Sequence, residues 1–293
     1  MKKIKIWIEC ARLRTLPVSI AGVVMAAGLA IFKDCFYWIP ALLCFVFAVL
    51  AQVVSNFANE YYDYKRGSDK KGRVGPRRGV TEGDISPKAL KTVTFATLLL
   101  TCVIGCGLIP FGGLWLIIVG IFIAVFAFAY STGPYPLSYH GLGDVAVFIF
   151  FGIIPVNLTY YVQSGIFELD SILASITIGL MGINVLLINN YRDVNDDKEA
   201  GKNTTVVIFG RKAASWAYLL NGCIAVLAII PIFGKLPLWS FAIPVVYLIL
   251  HIMIWNKLTK KDGAALNPLL GQTACNMLLF AILFCLVAVF KSV

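Results

Sequence analysis

The stretch SNFANEYYDYKRGSDKKGRVGPRRG, residues 55–79, follows a long apolar run. It carries carboxylates at Glu60, Asp63 and Asp69 together with seven cations. A second stretch, NNYRDVNDDKEAGKNT from Asn189, follows another apolar run and carries Asp193, Asp196, Asp197 and Glu199 beside Arg192, Lys198 and Lys202. On a helix at 3.6 residues per turn, Gln52, Asn56, Asn59 and Asp63 share roughly 60° of arc, as do Asn190, Asp193 and Asp197. Each run thus ends in a stripe of amide followed by carboxylate. Facing carboxylates repel, and a divalent cation relieves that repulsion. Oxygen-only donors of Asp and Asn type suit Mg²⁺, which keeps waters and is commonly shared with a substrate phosphate. Asn59, Asp63, Asp69, Asn190, Asp193 and Asp197 are the expected metal set, with Asp63, Asp193 and Asp197 as its catalytic members. Arg66, Lys70, Arg73, Arg77, Arg78 and Lys202 are placed to clamp diphosphate oxygens, arginine in fork geometry. The plain alternative is a helix end with solvated topogenic charges. One such loop fits either reading; two matching loops favour a metal–diphosphate site opening toward lipid.

The elements that position these stripes are membrane spans. Of 293 residues, 59% are hydrophobic and 14% charged, where a soluble domain has about 25% charged residues. Mean hydropathy is +0.84. Apolar runs of about 20 residues recur along the chain without the period-2 alternation of a β-barrel. The expected fold is all-α: one domain over 1–293, with nine spans near 16–32, 38–61, 92–108, 111–130, 144–162, 170–191, 213–233, 237–255 and 268–290. The two stripes lie four spans apart and therefore point the same way. That pattern reads as two parallel pseudo-repeats of four helices. Of 25 Lys and Arg, 22 fall in the N-terminus and the loops 63–91, 192–212 and 257–261. The positive-inside rule places these segments, and so the motif loops near 56–91 and 189–212, in the cytoplasm and the C-terminus outside. The basic start lacks a cleavage site and reads as a retained, partly amphipathic N-terminus. The net charge of +10 is explained by topology and does not point to nucleic acid. The eight cysteines form no CxxC pair and read as packing residues.

In their order and spacing these motifs resemble those of the UbiA-type intramembrane prenyltransferases, and most closely the dihydroxynaphthoate branch of that family, which serves menaquinone synthesis. RLRTLP (12–17), the first aspartate stretch from Asn56, YSTGPYPLSYHGLGD (130–144), the second stretch from Asn189 and LNPLL (266–270) carry the resemblance. Two features depart from the family's common pattern. Glu60 stands where Asp is common, and Asp69 lies six residues after Asp63, a longer gap than usual. The resemblance implies Mg²⁺-assisted transfer of a polyprenyl group from polyprenyl diphosphate to 1,4-dihydroxy-2-naphthoate, with loss of CO₂, in a bacterial plasma membrane. It further implies that the 130–144 loop covers the acceptor, with Asn56, Tyr130, Tyr135, Tyr139 and Tyr160 as candidate acceptor- or prenyl-binding residues. Physics alone leaves that loop equally readable as a connection. It also reads Asp144 as a helix cap, His140 as a surface residue and His251 as packing. A sister acceptor such as 4-hydroxybenzoate, or a repeat-built transporter, are the competing readings.

Overall fold

The computed structural model describes residues 2–69, 71–72 and 74–292. Lys70 and Arg73, two of the expected phosphate clamps, lie outside them. The described residues form helices and no strands. The helices are α1 (Lys2–Ala11), α2 (Leu16–Phe32), α3 (Trp38–Arg66), α4 (Pro87–Cys106), α5 (Leu116–Ala129), α6 (Gly143–Ser164), α7 (Leu169–Glu199), α8 (Thr205–Phe233), α9 (Ala242–Leu258) and α10 (Asn267–Ser292). α6 contains a π-helical stretch, Phe148–Ile153.

Eight helical segments of the described chain are long and apolar enough to cross a membrane. The ninth expected span, 111–130, is shorter: a one-turn helix, Ile109–Gly112, and then the 14-residue α5. At 1.5 Å per residue α5 is about 21 Å long, less than the ~30 Å hydrocarbon layer. Gly113, at φ +87°, separates the two pieces.

α3 and α7 run the other way. With 29 and 31 residues they are about 44 and 46 Å long. Their surplus turns extend past an apolar layer, and those turns carry the amide–carboxylate stripes. α3 stops at Gly67, in the left-handed region at φ +71°. There the Gly67 N–H donates to Tyr64 C=O and the Ser68 N–H to Asp63 C=O, a pairing that a Cβ would disfavour. α7 begins in a Glu168–Ser171 capping box.

The large buried core is built by α2, α7, α8, α9 and α10, with Val156 and Tyr160 of α6; α3, α4 and α5 add nothing to it. α10 packs along α2, α8 along α7, and α4 along α3. At the end away from the stripes, the buried Asp170 receives Lys33 at 2.8 Å and Lys235 at 2.7 Å, while Lys33 also reaches Glu168 at 3.1 Å. One carboxylate thereby joins the α2–α3, α6–α7 and α8–α9 connections.

Candidate active site

The ends of α3 and α7 meet at one end of the bundle. Lys202, just past α7, donates to Asp63 of α3 at 3.2 Å. Around this contact lies a polar cavity of about 520 Å³. Asn56, Asn59 and Asp63 line it from α3, Asn190, Asp193 and Asp197 from α7, and Arg77, Arg78, Tyr130 and Lys202 from the loops. Asp63 is 1% exposed. Its Oδ2 accepts from Lys202 and from Asn59 Nδ2 at 3.2 Å, and its buried Oδ1 has no hydrogen-bond partner. Burial works against the Lys202 ammonium, but the charges of Asp63 and Asp197 outweigh it and raise its pKa above the ordinary 10.5. Lys202 also lies over the Tyr139 ring at 5.1 Å.

Several expected residues are placed differently. Asn59 turns its carbonyl oxygen to Arg12 and to Arg78 (3.4 Å), and its amide group to Asp63 and Ser131. It therefore orients Asp63 and does not offer an oxygen to the cavity. Asp69 lies beyond the Gly67 turn, pairs with Arg78 at 3.2 Å and does not line the cavity. Arg66 is exposed and stacks over Tyr139 at 4.8 Å, and Arg77 is paired with Asp84. Asn56 ties α3 to the end of α1, donating to Ala11 C=O at 2.9 Å. Tyr139 is at the rim, its hydroxyl 2.6 Å from Ser68. Tyr135 is 57% exposed and stacks on His140 at 3.6 Å, away from the cavity. Tyr160 is buried in the helical core, where its hydroxyl meets Glu168 and Cys35 at the opposite end. It faces the wrong side of α6 for substrate. Asp144 is not a cap either: its Oδ2 accepts from the Thr205 hydroxyl of α8, and no side chain caps α6. The 130–144 loop does close the cavity, through Ser138, Gly141 and Gly143.

Four contributors stand outside the expected set. Arg12 holds a left-handed backbone (φ 54°, ψ 56°) between α1 and α2 and directs its guanidinium into the cavity. Arg14 and Thr15 follow it onto the wall. Arg192, 4% exposed, binds both oxygens of Asp193 at 2.6 and 2.7 Å and is braced by Asn189 at 2.8 Å and by Asn267 of α10 at 2.9 Å. The RLRTLP motif is the signal for Arg12; nothing in the spacing marks Arg192.

A second cavity, apolar and about 400 Å³, lies between α3, α4, α5 and α6. Gln52, Ser55, Tyr130, Val147 and Phe151 line both cavities, so the two share a wall. Phe126 and Phe150 face the apolar one.

Among the described residues no three of His, Cys, Asp and Glu stand together as a metal cage. Mg²⁺ needs none: it uses one or two carboxylates and completes its shell with waters and substrate phosphate. The partnerless Asp63 Oδ1 facing a cavity that Asp197 and Asp193 also line is a donor set of that sparse kind.

Residues 16–282 match the UbiA prenyltransferase family. The chain belongs to this family. Among curated relatives, 1,4-dihydroxy-2-naphthoate octaprenyltransferase of Escherichia coli (strain K12) is 36% identical over 290 residues, covering 96% of this chain and 94% of that one. The protein of the same name in Mycobacterium tuberculosis is 32% identical over 277 residues, 94% of each. Among solved structures, a UbiA homolog from Archaeoglobus fulgidus bound to GPP and Mg²⁺ superposes with TM-score 0.70 at 14% identity, covering 97% of this chain and 99% of that one. The likeness is one of fold, and it agrees with the all-helical bundle. Family membership removes the transporter reading, and the protein is an integral membrane enzyme of prenyl transfer.

Proposed function

We propose that the protein transfers a polyprenyl group from polyprenyl diphosphate to 1,4-dihydroxy-2-naphthoate, releasing CO₂ and giving a demethylmenaquinone-type product. The observation that carries this reading is the pairing of the two cavities across one wall. A polar chamber lined by aspartates of both stripes abuts an apolar chamber of about 400 Å³. A diphosphate ester of a polyprenol has that division, and its reacting C1 falls at the shared wall. The naphthoate acceptor is supported by relatives of that name that align along nearly the whole chain.

Asp63, Asp193 and Asp197 are the residues that would hold Mg²⁺. When bound there, Mg²⁺ neutralises the diphosphate oxygens and so eases departure of the leaving group. The chain's own residues do the rest. Lys202 stands beside Asp63 as a full cation and binds diphosphate, with Arg78 and Arg12 on the facing wall. Arg192 fixes the Asp193 carboxylate, and Asn59 fixes that of Asp63. Tyr130 and Phe151 on the shared wall, with Phe126 and Phe150 in the apolar chamber beside it, supply aromatic rings, which favour a developing allylic cation. The 130–144 loop and α1 keep bulk water from it. The motif loops and N-terminus face the cytoplasm of a bacterial plasma membrane and the C-terminus the outside. α10 runs from Asn267 at the site to the far end, in keeping with that orientation.

Purified protein is assayed with polyprenyl diphosphate and carboxyl-labelled dihydroxynaphthoate, with and without Mg²⁺. Labelled CO₂ released only with metal and donor is the expected result. Prenylation of a different aromatic acid in its place would move the protein to a sister activity.

A further inference from the structure

The cavity contains one aspartate that the reading above leaves idle. Asp144 sits at the start of α6, one helical turn before Val147 and two before Phe151, two of the residues that line both cavities. It therefore stands beside the place where the prenyl C1 and the acceptor ring must meet. Its neighbours differ from those of the other site aspartates. Asp63 faces Lys202, Asp193 faces Arg192, and Asp197 acts on Lys202. Asp144 is held instead by a hydroxyl, that of Thr205 on Oδ2, and no described cation pairs with it. Its Oδ1 is buried without a hydrogen-bond partner. That oxygen is an open acceptor position, which a substrate hydroxyl can fill. Tyr130, at the end of α5, has its phenol in the field of Asp144, Asp197 and Asp63. Lys202 lies beyond, on the Asp63 side of the cavity.

We propose that Asp144 is the proton acceptor for the ring hydroxyl of the acceptor, a catalytic residue separate from the metal-binding aspartates. This rests on the prenyl-transfer reading. The hydroxyl proton moves to Asp144 Oδ1, and the O–H electron pair becomes a ring carbonyl as the adjacent carboxylate-bearing carbon bonds to the prenyl C1. The C1–O bond breaks and its pair leaves with diphosphate. The bond from the ring to the carboxylate then breaks, releasing CO₂. Its electron pair restores the aromatic ring, and the ring oxygen recovers its proton from Asp144. No external base, oxidant or reductant is needed.

The test compares Asp144→Asn, which retains an oxygen for Thr205, with Thr205→Val, which retains the carboxylate. Each is assayed with the parent acceptor and with a ring-fluorinated acceptor whose hydroxyl is already ionised at assay pH. For Asp144→Asn the expected loss of kcat with the parent acceptor is about 100-fold or more. Donor KM stays unchanged, and most of the rate returns with the ionised acceptor. Thr205→Val is expected to lose far less. A wild-type rate in Asp144→Asn, an equal loss with both acceptors, or equal losses in the two variants would overturn the proposal. Wild-type protein that prenylates neither naphthoate would instead overturn the acceptor reading, which separates the two failures.

Discussion

Between α7, α8, α9 and α10 the interior is filled, whereas between α3, α4, α5 and α6 it is left as an apolar cavity. In the filled region His251 is 1% exposed and lies flat between Tyr218 and Tyr247, with ring centroids 4.5 and 5.5 Å away. Tyr218 meets the Thr273 hydroxyl at 3.0 Å, and Asn276 donates to Tyr247 C=O at 3.1 Å. In the hollow region α5 has no buried residue at all, and the facing parts of α3 and α4 present small side chains such as Ala48, Ala51 and Thr101. Each region delivers one aspartate stripe of the same design. The filled one supplies a rigid wall, in which Arg192 and its two asparagines lock Asp193. The hollow one supplies the room that a hydrocarbon tail needs. The two stripes are alike at their polar ends, and the helix interiors behind them differ.

The most drastic way to break this comparison is to remove a carboxylate from either stripe. Asp63→Asn and Asp193→Asn should each lower turnover by about 10³-fold or more, since loss of even one preorganised charge partner at a leaving group costs about 10²–10³. Both proteins should still insert and fold, which gel filtration in detergent checks. A near-normal rate in one of them would mean that the two stripes do not share a metal site. Next in size, Lys202→Ala should raise donor KM about 10-fold, equivalent to 1.4 kcal/mol, with acceptor KM unchanged. Because burial fails to overcome the pull of Asp63 and Asp197, the folded-state pKa of Lys202 is raised. Its contribution is then complete below lysine's ordinary 10.5 and fades only as pH climbs through the raised value. Donor KM should accordingly stay flat from neutral pH up to that range as far as Lys202 is concerned; a rise near neutrality confined to the wild type would contradict it.

Two glycines sharpen the contrast with smaller effects. A Cβ on Gly222 would stand 2.2 Å from His251 Nε2, so Gly222→Ala should destabilise the filled region by about 1–3 kcal/mol. A Cβ on Gly120 meets nothing within 4 Å, although that residue lines the apolar cavity. Gly120→Ala should be neutral, or stabilising by up to roughly 1 kcal/mol from helix propensity. Thermal unfolding in detergent separates these outcomes. Equal shifts would show that the two regions are packed alike.

How far the sequence could be read follows from what periodicity encodes. The helices, the shared face of Asn56, Asn59 and Asp63, and the meeting of the two motif loops are local or topological facts, and all were legible. Which face of a helix meets which neighbour is not encoded in a single apolar stretch. For that reason the sequence does not separate Tyr160, which faces the core, from Tyr130, which faces both cavities. Composition groups Asp69 with Asp63 and does not show that the Gly67 turn redirects the chain. RLRTLP marks Arg12, but the left-handed backbone that turns its guanidinium into the cavity has no signature in residue type. The brevity of α5 had a visible sign in Gly112–Gly113, but a hydropathy window averages over it. The hollow region as such was invisible: small residues facing a void and small residues facing a tight neighbour look the same in sequence.

The Asp170 clasp at the far end has a consequence for biogenesis. Lys33 is synthesised 135 residues before Glu168 and 65 residues separate Asp170 from Lys235. A nascent chain therefore inserts its first two long hairpins with Lys33 unmatched, closes that pair when α7 enters the bilayer, and adds Lys235 only when α8 has been completed. The far end of the bundle is thus tied in two steps, and Lys235 joins a carboxylate that Lys33 already engages.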